Sequence, residues 1–218
     1  MRAMANNKAR GVARTRKQRG SREKILDVAL REFSGKGLSG ARVDRIAALA
    51  RTSKNMIYYH FASKEGLYRE VMKNAYAGIR QNERSLDVAS MEPEEALRAL
   101  VLLSFDYHWR SEMFVRLVMN ENMHYARHLK ETEDLKAQNQ LIIETLSRIL
   151  QRGREQGVFR SDIDPLQLHL TISAFGFHYV SNRYTFSKLF DLDMNSEEAV
   201  AARREIAADI VLSWCRVK

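Results

Sequence analysis

Apolar positions recur at three- and four-residue spacing along most of the chain, the signature of amphipathic helices. Ile25, Leu26, Ala29, Leu30 and Phe33 form one stripe and predict a helix over about 22–35, with Ser21 as its N-cap and Gly35, Gly37 and Gly40 breaking it. Val43, Ile46, Ala47 and Leu49 predict a short second helix over about 43–49, followed by a turn from Ala50 to Thr52. Ser53 then caps a third helix, about 54–60, that Ile57 and Phe61 lock inward. Ser63 caps a fourth, running to about 82, whose inner face includes Leu67, Val71 and Ala75.

The pattern continues in the same way to the C-terminus. Pro93 opens a helix carrying Ala96, Leu97, Leu100, Leu103 and Phe105, and Phe114, Val115, Leu117, Val118 and Met119 mark another from about 112 to 122. A long, mostly polar helix over about 127–155 has Leu135, Leu141, Ile142, Leu146, Ile149 and Leu150 as its stripe, and Gly157 closes it. Asp164 and Pro165 form a start signal, because the aspartate can cap and proline suits the first helical position. The helix that follows, to about 186, is apolar and aromatic on much of its surface. A last helix covers about 197–214. Two prolines and ten glycines in 218 residues suit this all-α reading of about nine helices. It divides into a basic disordered tail at 1–20, a helix-turn-helix domain at 21–68 and a larger helical domain at 69–218.

Charge sharpens the division. The net charge is +9, but residues 1–24 carry nine basic and one acidic side chain, and residues 25–80 ten basic and five acidic. Residues 81–218 carry 17 basic and 21 acidic side chains. All the excess positive charge therefore lies in the first 80 residues, where a phosphate backbone would attract it with little regard to base sequence. The tail is read as contacting DNA, with a merely solubilising role as the alternative. Cys215 is the only cysteine, which rules out an internal disulfide and suits a reducing compartment. No apolar run approaches the roughly 18 residues of a membrane span, and the basic N-terminus lacks the apolar core of a secretory signal. A cytoplasmic protein with no membrane partner is expected.

The segment ARVDRIAALARTSKNMIYYHF, Ala41 to Phe61, has the shape of a helix-turn-helix. Such a unit needs a buried side that fixes the angle of its second helix, an N-terminus directed at DNA, and side chains that reach bases or phosphates. Ile57 and Phe61 meet the first need. Ser53 marks the second, where free backbone N–H groups can hold a phosphate. Lys54, Asn55, Met56, Tyr58, Tyr59 and His60 supply the third: Asn55 can pair with adenine, and Lys54 with guanine or a phosphate. Tyr58 can equally belong to the core, Met56 can simply cover apolar surface, and His60 can shield the junction with the next helix. Arg42, Arg51 and Lys64 stand near helix ends and are expected to grip the backbone.

Residues 21–73 resemble the N-terminal domain of the TetR family of transcriptional regulators. The resemblance is carried by ILDVALREFSGKG at 25–37, VDRIAALA at 43–50 and SKNMIYYHFASKEGLY at 53–68. The chain departs from the family pattern at Ala41, where a hydroxyl residue is usual, and at Arg51 and Thr52, where glycine and an aliphatic residue are usual. The resemblance implies an all-helical homodimer on a palindromic operator, DNA contacts at Tyr59, Lys64 and the start of the third helix, and a C-terminal domain that holds a small ligand and forms the dimer.

In that C-terminal part, Phe105, Trp109, Phe114, Met119, Met123, Tyr125, Phe175 and Tyr179 are candidates to line an apolar pocket, with Asn122, His128, Arg116 and His178 supplying polarity. Each can equally be ordinary core. His124 and His128 are four apart and can share a face toward a metal, with Glu121 and His108 completing it, although surface or pocket roles are favoured and no cofactor is expected. Cys215 reads as packing rather than redox chemistry. Leu166, Leu170, Ile172, Phe175, Val180, Ile206, Ile210, Val211 and Trp214 on the last two helices are expected to form a four-helix dimer contact.

The function expected is a DNA-binding repressor, double-stranded operator DNA being its partner and a small-molecule effector its release signal. An activator or ligand-independent regulator is the alternative. An enzyme is distant, since no glycine-rich phosphate loop, nucleophile elbow or strong metal constellation occurs.

Overall fold

The computed structural model of the chain describes the backbone over residues 2–129 and 133–217, and side chains over 21–129 and 133–217. The expected tail at 1–20 lies outside the residues whose side chains are described. Among the described residues the fold is all-α: nine α-helices and one short 3-10 turn, Arg127–Leu129. They are α1 (Arg2–Gly40), α2 (Val43–Ala50), α3 (Lys54–Phe61), α4 (Lys64–Arg84), α5 (Pro93–Arg110), α6 (Glu112–Met123), α7 (Glu133–Glu155), α8 (Pro165–Leu189) and α9 (Glu197–Cys215). Two compact units result, residues 1–74 with 120–130, and residues 75–119 with 131–218.

In the first unit, α1, α2, α3 and the start of α4 share one core. Ile25, Ala29, Phe33, Ile46, Ile57 and Leu67 have no exposed surface at all, and Phe33 meets Tyr68 edge to face with ring centroids 5.1 Å apart. Three local expectations need correction. Ser21 lies inside α1 rather than at its start. Gly35 stays helical, and the chain departs from helical geometry at Gly37 (φ 65°, ψ 179°), a conformation open to glycine because it lacks a Cβ. Leu49 is 56% exposed. At about 100° per residue it stands roughly 110° around the axis from the direction shared by Val43, Ile46, Ala47 and Ala50, and Ala50 takes the buried place instead.

Residues 120–130 join this unit through a buried carboxylate. Glu121 accepts hydrogen bonds from the Tyr68 hydroxyl (2.9 Å) and from the backbone N–H of His128 (2.8 Å), and pairs with His128 Nδ1 at 3.0 Å. Asn120 adds a bond from its side-chain amide to the Ser34 carbonyl, 3.3 Å. A buried carboxylate without such partners would cost several kcal/mol, so the three bonds account for its place here. They also explain why the long helix expected from residue 127 begins instead at Glu133: the chain first turns through Tyr125 and Ala126, both at positive φ, to deliver His128 to Glu121.

The second unit is a helical bundle in which α5 packs on α7, α8 and α9. Leu97, Leu100, Phe105, Ile142, Leu146, Leu150, Leu168, Ile172, Ala207, Val211 and Cys215 belong to one continuous core. The start signal at Asp164 acts as read, accepting from the Leu166 N–H at 2.8 Å with Pro165 in the first turn, and α9 has a cap that the sequence reading did not name, Ser196 accepting from the Ala199 N–H at 3.2 Å. Leu141 departs from its stripe and is exposed. Cys215 is buried, and burial pushes its thiol up to about 11. The thiolate needed for redox chemistry is therefore suppressed near neutral pH.

Candidate nucleic-acid interface

The second and third helices are joined by a turn built around Arg51. Arg51 sits in the left-handed region (φ 54°, ψ 50°), its N–H bonding the Ala48 carbonyl and the next N–H, of Thr52, bonding the Ala47 carbonyl at 2.9 Å. This closes α2 in the manner of a Schellman motif, a place where glycine is usual. The departure from the family pattern at this position is therefore a backbone matter: an arginine occupies a conformation that costs a side-chain-bearing residue about 1–2 kcal/mol.

The start of α2 has no capping side chain at Arg42. Glu32, 6% exposed on α1, takes over: one carboxylate oxygen accepts from the Arg42 backbone N–H at 3.4 Å, and the same group pairs with Lys36 at 3.0 Å and Arg45 at 3.1 Å. A negative charge at a helix N-terminus is favourable. Sequence reasoning missed Glu32, and its signal was there: a glutamate immediately before the core residue Phe33. Ala41, where the family carries a hydroxyl, is simply buried.

Ser53 caps α3 as expected, its hydroxyl accepting from the Met56 N–H at 3.2 Å. Ile57 and Phe61 are buried, and Arg22 lies over the Phe61 ring at 5.2 Å. The remaining face of the helix is open. Lys54 and Asn55 are exposed, Met56 is 39% exposed, Tyr58 42% and Tyr59 75%. His60 is half-buried, packed between Tyr59 and Phe61 with its Nε2 lacking a partner. Lys54 is held at 2.5 Å by Asp44 of α2. Arg42 and Arg51 are exposed, and Lys64 donates to the Ser39 carbonyl at 3.3 Å.

The junction from α3 to α4 is unusually tight. Ala62 has φ 60° and ψ −44°, and the Ser63 N–H bonds the Phe61 carbonyl at 2.7 Å. Ser63 accepts from the Gly66 N–H at 2.9 Å. A Cβ on Gly66 would stand 2.1 Å from the Phe61 carbonyl oxygen, so only glycine lets the two helices meet here. Hydrogen bonds from the backbone N–H groups and from Ser63 at this helix start hold the Glu65 carboxyl below its usual range.

The candidate pocket residues are divided between core and surface. Phe105 and Tyr179 are core, their rings 5.6 Å apart, and Trp109 packs beside Tyr179 and under Arg183. Phe114 is also buried, among Tyr76, Tyr107 and His108. Phe175 lies under Arg203, while Met119 and His178 are exposed. Asn122, Met123 and Tyr125 belong to the first unit and are exposed, Tyr125 to 95%. Arg116 pairs with Glu112, and His128 is taken by Glu121. His124 packs edge to face on His128 at 6.1 Å, and no group of three possible metal ligands occurs among the described residues. Clefts among the described residues of the second unit include one of about 500 Å³ whose wall includes Leu102, Leu103, Asp106, Tyr107 and Arg204, and a smaller one of about 170 Å³ between α4 and α7. Among the described residues no helix is long and apolar enough to cross a membrane.

Comparison with known proteins agrees with this architecture on both units. Residues 25–71 match the profile of the bacterial regulatory proteins of the tetR family, and residues 93–211 match that of the tetracyclin repressor-like C-terminal domain. The chain is 34% identical over 196 residues to the HTH-type transcriptional repressor NicS of Pseudomonas putida, covering 90% of this chain and 92% of that one. In fold it is similar to the ketosteroid transcriptional regulator KstR2 of Mycobacterium tuberculosis (TM-score 0.67, 22% identity, 90% and 95% of the two chains). It is also similar to AibR, solved in complex with isovaleryl coenzyme A and operator DNA (TM-score 0.68, 17% identity, 87% and 97%). The chain belongs to the TetR family of transcriptional regulators. Within that class it is a ligand-responsive, DNA-binding transcriptional repressor.

Proposed function

We propose that α3 reads the operator in the major groove through its exposed face. Asn55 and Lys54 address base edges, Lys54 exchanging its Asp44 partner for DNA. Met56, Tyr58 and Tyr59 pack on sugars or thymine methyls, with the tyrosine hydroxyls bonding phosphates, and His60 fixes the angle of Tyr59. The capped start of α3 at Ser53, together with Arg42, Arg51 and Lys64, grips the phosphate backbone, and the basic tail at 1–20 adds sequence-independent attraction. The observation that carries this reading is the division of α3: Ile57 and Phe61 are buried, while Lys54, Asn55, Tyr58 and Tyr59 are open on an eight-residue helix with a satisfied cap.

The operator is read as palindromic because the repressor is a twofold dimer. Leu166 and Leu170 on α8, and Ile206 and Ile210 on α9, are each 46–54% exposed at i, i+4 spacing, which suits pairing with a second copy. The other interface candidates are spent within the unit: Ile172, Val180 and Val211 are buried, and Phe175 and Trp214 pack against the core. A small molecule binding the second unit releases DNA by favouring a state with lower operator affinity. Acting on DNA, with its thiol reduced, the protein works in the cytoplasm. Selection of bound duplexes from a random library by the purified protein tests the reading. An inverted repeat with half-sites about one helical turn apart is expected. Recovery of unrelated sequences, bound weakly and lost with salt, would overturn it.

A further inference from the structure

The smaller cleft of the second unit has a composition that ordinary surface does not explain. It lies between the last turns of α4 and the middle of α7, with a volume of about 170 Å³. At one side Arg80 and Glu83, both buried, form an ion pair at 2.5 Å, and Arg80 also donates from Nε to Asn139 at 3.1 Å. That pair is neutral as a whole. Arg84 and Arg148 also line the cleft; both are exposed, and neither forms an ion pair among the described residues. Arg148 makes only a contact to the Thr145 hydroxyl at 3.3 Å. The rest of the lining is aliphatic, from Leu86, Val88, Leu141 and Ile142.

Two guanidinium groups without an ion-pair partner among the described residues border this one cleft and present positive charge to it. Their planar forks match a carboxylate, which each can grip with paired N–H donors. The aliphatic lining favours an acid with an apolar body over inorganic phosphate or a nucleotide. Size sets a ceiling: an apolar cavity of about 150 Å³ accommodates benzene, so the body is of the order of one six-membered ring. We propose that this cleft binds a small organic carboxylate, held by Arg84 and Arg148 with its apolar body against Leu86, Val88 and Ile142. As the effector site it rests on the ligand-responsive reading of the protein; as a binding site it rests on the cleft alone.

Calorimetric titration of the full-length protein with cyclohexanecarboxylate, and with cyclohexanecarboxamide as a neutral isostere, tests the proposal. The acid is expected to bind and to raise Tm, and the amide is not. Arg84→Gln and Arg148→Gln are each expected to weaken the acid by about tenfold or more. Both positions are exposed, and circular dichroism checks that the variants fold. No binding of acid at millimolar concentration, equal binding of the amide, or undiminished binding by the double variant overturns the site. Titration in the presence of the selected operator separates the two levels. Release of DNA by the acid, lost in the double variant, assigns the effector role. Acid that binds without changing operator affinity overturns that role and leaves the carboxylate site standing.

Discussion

The DNA-reading head and the regulatory bundle are made from the same kinds of residue, yet they expose their chemistry differently. On α3 the aromatic and polar groups proposed to meet DNA lie on the side of the helix away from the core, and Ile57 and Phe61 lie on the other. In the bundle, Phe105, Phe114 and Tyr179, chosen as pocket candidates for their size and aromaticity, are core. A short surface helix sorts function from packing by angle around one axis. Inside a bundle every angle meets another helix, so an aromatic residue carries no mark of whether it fills space or borders a cavity. Neither of the two clefts described is bordered by Phe105, Phe114 or Tyr179; arginines and aliphatic residues line both, with Tyr107 in the larger.

Loss of a core aromatic gives the largest effect expected from this contrast. Phe105→Ala, at a position 1% exposed, is expected to cost about 3–5 kcal/mol of stability in urea unfolding. An unchanged midpoint would mean that Phe105 borders a void already, returning it to the pocket. Gly66→Ala comes next, because its Cβ meets backbone and not a flexible side chain. A loss of about 1–3 kcal/mol, the scale of local backbone strain, is expected together with weaker operator binding. Tyr59→Ala is expected to do the opposite of Phe105→Ala: operator affinity falls by about 1–3 kcal/mol while Tm stays in place. A lowered Tm with unchanged affinity would make Tyr59 a structural residue.

Titration offers a subtler comparison. Burial, reinforced by Arg80 and His108, pushes His169 down to about 4. Its folded-state value lies below the unfolded one near 6.5, so the stability it contributes is complete above about pH 6.5 and is lost as pH falls toward 4. His169→Gln should flatten that part of the stability-versus-pH curve, followed by chemical denaturation; an unaltered curve would show that the imidazole is solvated. The smallest effect is expected at Arg51→Gly, which relieves a left-handed arginine and should raise stability by about 1 kcal/mol. Its salt slope of operator binding should also drop by about one counterion if Arg51 touches a phosphate.

The order of helices was legible in the sequence because most of them carry an apolar stripe at helical spacing, and several are bounded by a cap or a breaker. Ser53, Asp164 and Ser196 cap helices through hydrogen bonds between neighbours a few residues apart. The same locality made the recognition helix legible, since Ile57 and Phe61 declare its buried side and thereby its open one. Only tertiary structure decided the rest. Glu121 and His128 read as possible metal ligands but form a buried hydrogen-bonded pair, because Tyr68, 53 residues away, completes it. Glu32 caps a helix ten residues downstream, and Arg84 and Arg148 come together from helices separated by two others. Period and capping are properties of adjacent residues, which the chain fixes covalently. Burial of a charge and the closing of a cavity depend on which distant side chains arrive at the same place, and that is settled only when the helices pack.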